Sequence, residues 1–105
     1  MFPLITNKKM KIYSLILSLF LFSNLHAQYT LQNEDVTIID GQITAYLNTD
    51  EKNIIIPSTL QGQSVTKIGN SSFYSKDLTN VSLPEGLTTI QDAAFSNNKL
   101  ESIII

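Results

Sequence analysis

The chain has 105 residues, with seven Lys and Arg against nine Asp and Glu and a formal net charge of −2. Cysteine, arginine and tryptophan are absent, and the one histidine, His26, sits in the amino-terminal stretch. Disulfide frameworks, thiolate or histidine-based nucleophiles, zinc sites and arginine clamps on phosphate are therefore excluded from the remainder of the chain.

The first 27 residues have the three-part organisation of an export signal. Lys8, Lys9 and Lys11 form a positive region, Ile12 to Phe22 form an apolar run, and Ser23-Asn24-Leu25-His26-Ala27 is a polar stretch ending in a small residue. Cleavage is predicted after Ala27. The alternative is an uncleaved anchor, but the apolar run falls short of the roughly 20 residues needed to span a bilayer. Contact with a membrane is thus expected only in transit. Met10-Lys11 would itself serve as a start. Residues 28–105 keep four lysines against all nine carboxylates, a net charge of −5, so a basic nucleic-acid footprint is missing. A segment of this size has a marginal core and needs neighbouring repeats or a partner.

Gln28 to Asp35 is polar and reads as a loose lead-in, within which Tyr29 to Leu31 could add one short strand. Val36-Thr-Ile-Ile39-Asp40-Gly41-Gln42-Ile43-Thr-Ala-Tyr-Leu47 shows two alternating runs around Asp-Gly, a strong hairpin signal. Residues 36–52 are expected to cap the amino end of the segment that starts at residue 53.

From residue 53 onward the chain repeats itself. Val65, Ile68, Phe73, Leu78, Val81 and Leu83 recur 22 positions later as Leu87, Ile90, Phe95, Leu100, Ile103 and Ile105, while the positions between them are polar and vary. A partial earlier copy, Ile54-Ile55-Ile56-Pro57, lies over Val81-Ser82-Leu83-Pro84 at an offset of 27, with the five additional residues in the connection Ser58 to Ser64. Pro57 and Pro84 lack an N–H and mark where pairing stops. Each unit reads as a short strand, a turn, a bend around the Phe and a return. Stacking the units about 4.8 Å apart turns every apolar position into a ladder. The fold class is a β-rich solenoid, a leucine-rich-repeat-like parallel stack of about 22-residue units with an amino-terminal β-hairpin cap.

The phrases Ile54-Ile-Ile-Pro57-Ser-Thr-Leu60, Val65-Thr-Lys-Ile68-Gly-Asn-Ser-Ser-Phe73, Leu78-Thr-Asn-Val-Ser-Leu83-Pro84-Glu-Gly-Leu87-Thr-Thr-Ile90 and Asp92-Ala-Ala-Phe95 closely resemble the BspA-type bacterial leucine-rich repeats. The resemblance covers about Val36 to Ile105. It implies an exported or surface-displayed product and a role in adhesion or protein binding. The family usually strings many repeats together, whereas this sequence stops inside a strand at Ile103-Ile104-Ile105.

The carboxylates Glu34, Asp35, Asp40, Asp50, Glu51, Asp77, Glu85, Asp92 and Glu101 read as solvated turn residues. A glycan hydrolase, the least favoured function, would need two of them about 5 to 10 Å apart across a cleft. No metal site is expected, because an Asp-x-Asp run is missing, and no cofactor is implied. Asn70-Ser-Ser72 and Asn80-Val-Ser82 match the glycosylation acceptor pattern by abundance of Asn and Ser. Tyr74 has Ser96 at its matching position, so it is a candidate contact outside the apolar ladder.

Strand alternation directs Ile54, Ile56, Val81, Leu83, Ile103 and Ile105 inward. The outward columns, and the candidate binding residues, are then Asn53, Asn80 and Ser102, and Ile55, Ser82 and Ile104. Small neutral side chains of this kind suit a broad protein or glycan surface. The leading expectation is a secreted or cell-surface, non-enzymatic binding or adhesion segment. The alternative is a truncated remnant or spacer. The uncharged strand Ile103-Ile104-Ile105 is expected either to continue into further repeats or to self-associate through its edge.

Overall fold

The computed structural model of the chain describes residues 27–105, and the expected signal over residues 1–26 lies outside them. Ten short strands succeed one another: β1 (Tyr29–Thr30), β2 (Val36–Ile39), β3 (Gln42–Tyr46), β4 (Asn53–Ile55), β5 (Thr59–Leu60), β6 (Gln63–Ser64), β7 (Lys67–Ile68), β8 (Asn80–Ser82), β9 (Thr89–Ile90) and β10 (Ser102–Ile104). Sheet A has the order β1-β4-β8-β10, with every neighbouring pair parallel. Sheet B has the order β2-β3-β7-β9, parallel from β3 onward. Successive turns of the chain supply successive rungs of both sheets, so the molecule is a β-solenoid.

The 22-residue repeat sets the register directly. Asn80, Val81 and Ser82 face Ser102, Ile103 and Ile104, and Lys67 and Ile68 face Thr89 and Ile90. Asn53, Ile54 and Ile55 face Asn80, Val81 and Ser82 at the longer offset. The additional residues form a small hairpin of their own, β5 with β6. Its turn is Gln61-Gly62, at φ of 51° and 74°. Positive φ at both central residues is the type I′ condition that suits the twist of a two-residue hairpin.

The amino-terminal hairpin is β2 with β3, turning at Asp40 (φ 50°) and Gly41 (φ 78°). Gly41 is also required by space, since a Cβ there would lie 2.7 Å from the Ser64 carbonyl oxygen. The register shifts between Thr37 and Ile38, a bulge, and β3 pairs antiparallel with β2 on one side and parallel with β7 on the other.

Gln28 to Asp35 is not a loose lead-in. Tyr29 and Thr30 form β1 against Ile54 and Ile55, the Leu31 N–H donates to the Ile55 carbonyl at 3.0 Å, and Leu31 is only 2% exposed. A single 3-10 turn, Asn33–Asp35, comes next. Its polar side chains bond back into the fold, so the absence of an apolar period in the sequence did not mean an absence of order.

The interior is built from columns. The paired Ile43 and Ile68, and Ile54 and Val81, are buried, as are Val65 and Leu78 in columns of their own, and the column members nearer the carboxyl end open to solvent: Ile90 is 48% exposed and Ile103 43%. Register places Ile103 over the buried Val81, on the inner side expected of it. Ile103 has a column neighbour on one side only, and Ile105 is fully exposed.

Aromatic rings form the central column. Phe73 stacks on Tyr46 and on Phe95 with centroids 5.1 Å apart in both cases. Tyr46 is a rung that the sequence repeat does not reveal, because it lies in the hairpin. Its hydroxyl donates to the Glu51 carbonyl at 2.9 Å, which satisfies the polar end of a buried phenol.

The bends stack like the strands. The N–H groups of Ser71, Phe73 and Ser75 donate to the carbonyls of Asp92, Ala94 and Ser96. Left-handed residues recur at the same spacing, Ser71 with Ala93 and Ser75 with Asn97. Asn98 closes the bend: its Oδ1 accepts from the Lys76 and Leu78 N–H groups at 2.9 and 3.0 Å, and its Nδ2 donates to the Phe73 and Phe95 carbonyls at 2.7 and 2.8 Å.

Phe73 is the ring with neighbours on both sides and no exposure. Phe73→Ala is expected to cost about 3–5 kcal/mol, a large part of the stability of a small domain. Thermal unfolding followed by circular dichroism should show a melt shifted strongly down or lost, and an unchanged melt would rule out the stacked column as the core.

Candidate functional site

The face that the sequence nominates is the outer side of sheet A. Because Ile54 and Val81 are fully buried, the residues flanking them in β4 and β8 project the other way. Register then aligns Asn53, Asn80 and Ser102 in one column and Ile55, Ser82 and Ile104 in the next. All six candidate residues are brought together on this face. Asn53, Ile55, Asn80 and Ser82 are half-buried, and Ser102 and Ile104 are exposed.

The structure adds two residues that sequence reasoning left out. Thr30 pairs with Ile55 and extends the second column by a rung. Gln28 reaches across the face, its Nε2 donating to the Ser82 hydroxyl at 3.1 Å. The signal was available in principle, since Tyr29-Thr30-Leu31 lies over Ile54-Ile55-Ile56 at an offset of 25, but one apolar alternation in a polar stretch is too short to stand out.

No member of these columns ionises. Their polar atoms bond laterally between rungs, as where the Ser102 hydroxyl donates to Asn80 Oδ1 at 2.6 Å. Neutral amides and hydroxyls at about 4.8 Å spacing offer repeated hydrogen-bond donors and acceptors to a flat partner, with Ile55 and Ile104 as apolar points between them. The face therefore combines amides, hydroxyls and aliphatic groups without an ionisable side chain.

The carboxylates lie elsewhere. Among the described residues no group of three or more His, Cys, Asp and Glu is placed to hold a metal ion. Asp77 pairs with Lys99 at 3.5 Å on the surface, where such a pair contributes little. Asp35 differs from the expectation of a solvated turn residue. It is 6% exposed, and Oδ2 accepts from the Tyr29 hydroxyl and the Gln32 N–H while Oδ1 accepts from Asn48. Burial opposes its ionisation, yet the three donors outweigh that and hold the carboxyl below its usual value. Asp35 thus ties the cap together.

Tyr74 is 48% exposed but stands on the bend between β7 and β8, not on sheet A. Of the two acceptor-pattern asparagines, Asn70 is exposed on the same bend and Asn80 belongs to the face itself. A shallow cavity of about 220 Å³ lies at the carboxyl end, lined by Leu83, Pro84, Leu87, Ile90 and Ile105 among others.

The division between inner and outer positions can be measured. Asn80→Ala should change stability by no more than about 1 kcal/mol, the value of a single net hydrogen bond, whereas Ile54→Ala should cost about 2–5 kcal/mol. Equal losses in denaturant unfolding would show that the face has been assigned to the wrong side.

No helix among the described residues is long and apolar enough to cross a membrane. Comparison with curated proteins and with solved structures yields no match. The family model of the BspA type leucine rich repeat region matches residues 37–105, in six copies. That match spans well over half the chain and takes in both the repeats and the hairpin, and the chain belongs to the BspA-type leucine-rich-repeat family.

Proposed function

We propose that this chain is a non-enzymatic recognition segment that binds a protein or glycan surface, in an adhesion role, through the outer face of sheet A. The observation that carries the reading is the pair of straight, uncharged columns led by Asn53 and Ile55, which parallel register keeps in line over three turns. A repeat fold spreads contact over the same position in successive units, and the family's association with binding and surface display agrees with that. Export through the amino-terminal stretch, with release after Ala27, belongs to the same proposal.

Both parts can be tested. The first uses arrays of immobilised glycans and of extracellular proteins, probed with the wild-type chain and with Asn80→Lys/Ser82→Lys. Any ligand retained by the wild type should bind at least about tenfold more weakly to the double variant, as expected for charged groups forced into a neutral contact. Lys67→Glu, on the exposed side of sheet B, should leave it unchanged. Retention unaffected by the sheet A substitutions, or turnover of a glycan on the array, would overturn the reading. In the second, the full chain is expressed in a bacterial host and the secreted product is sequenced from its amino end. It should begin at Gln28. Full-length chain recovered only in the inner membrane would contradict export with cleavage.

A further inference from the structure

The segment Tyr29–Gln32 occupies the amino-terminal edge of sheet A, with Leu31 in the core and Tyr29 packed against it. Its strand is two residues long, and Leu31 is its one fully buried side chain. Besides its pairing with β4, the segment is tied down by a carboxylate. Asp35 Oδ2 accepts from the Tyr29 hydroxyl at 2.8 Å and the Gln32 N–H at 2.7 Å, and Oδ1 accepts from Asn48 Nδ2 at 3.0 Å. One buried side chain therefore joins β1, the chain just after it and the loop after β3.

We propose that Tyr29–Gln32 is an acid-released latch, held on the edge of β4 by the Asp35 carboxylate and let go when that carboxylate takes up a proton, while the rest of the solenoid stays folded. An ionised carboxylate is an acceptor only, which suits three donors. Protonation removes the charge that makes all three hydrogen bonds strong, and it leaves Oδ1 and Oδ2 as weaker, neutral acceptors. Release would bare the Ile55 carbonyl, which now accepts from Leu31, and uncover the edge of β4.

Two structural features confine the release. The carboxyl side of the segment is tied by groups that do not titrate: the Gln61 N–H donates to Asn33 Oδ1, and Gln61 Nε2 donates to the Asn33 and Val36 carbonyls. The ionisable groups around the site are Glu34 on the same turn, the Tyr29 phenol, Tyr46 at the end of β3, and Asp50 and Glu51 in the loop after it. The Lys52 ammonium is turned away to the Thr49 and Lys76 carbonyls. Neither phenol ionises in the acid range, so Asp35 is the titrating group that bonds the segment. Its lowered value sets the sign: the contribution is complete above the ordinary aspartate value of about 3.9 and is lost as pH falls through the lower value in the folded chain.

The test is amide hydrogen exchange on the 15N-labelled full chain from pH 7 to pH 2.5, with protection corrected for intrinsic rates. The Leu31 N–H, bonded to Ile55, reports the latch, and the Phe73 N–H, bonded to Ala94, reports the interior. In acid, Leu31 protection should fall about tenfold or more while Phe73 keeps its own, the signature of a local opening. Asp35→Asn should leave Leu31 unprotected at every pH with Phe73 intact, and Tyr29→Phe should move the loss of Leu31 protection to higher pH. Simultaneous loss at both amides in the wild type, or Leu31 protection independent of pH, would overturn the proposal. Should Asp35→Asn not fold, Tyr29→Phe decides alone, and a loss at the wild-type pH would overturn it.

Discussion

Phe73 lies between Tyr46 and Phe95, 5.1 Å from each ring, and the rest of the fold depends on that arrangement. A turn of some 22 residues cannot enclose a phenyl ring by itself, and strands of two or three residues cannot persist alone. Each ring is buried by the ring one turn away, and the same translation that stacks the rings superposes Ile54 on Val81 and Ile43 on Ile68. Stability is thus a property of adjacent turns, as in other one-dimensional repeats. The gradient of exposure along the columns has the same origin: where a rung has a neighbour on one side only, as Ile90 and Ile103 do, its side chain opens to solvent.

With so little regular strand, much of the backbone lies in bends, and its polar groups still need partners. Side-chain amides supply many of them. Asn98 bonds two N–H groups and two carbonyls at the last bend, and Gln61 fastens the hairpin β5–β6 to the amino-terminal segment. Asp35 does the same with a charge. Amides are indifferent to pH whereas a carboxylate is not.

The two faces of sheet A differ in chemistry. Ile54 and Val81 on the inner face hold the stack, while Asn53, Asn80 and Ser82 place amide and hydroxyl groups on the outer face. A rigid stack fixes the spacing of those groups, and rigidity of this kind lowers the ordering cost of binding an extended partner. The constraint that makes the fold stable therefore also arranges the candidate surface.

The periodic part of this protein was determined by its sequence alone. Six apolar columns 22 residues apart, an Asp-Gly between alternating runs, and prolines at the strand ends were enough to specify a parallel stack with a hairpin cap, because burial and strand alternation act at fixed spacing. The register that aligns Asn53 with Asn80 and Ser102, and Ile55 with Ser82 and Ile104, follows from the same spacing. The tertiary structure decided what has no period: that Tyr46 is a rung of the ring stack, that Thr30 and Gln28 join the outer face, and that Asp35 is buried among three donors. Those roles arise from single polar or aromatic side chains meeting partners that belong to other turns, and a pattern of hydrophobicity along the chain contains no record of such meetings.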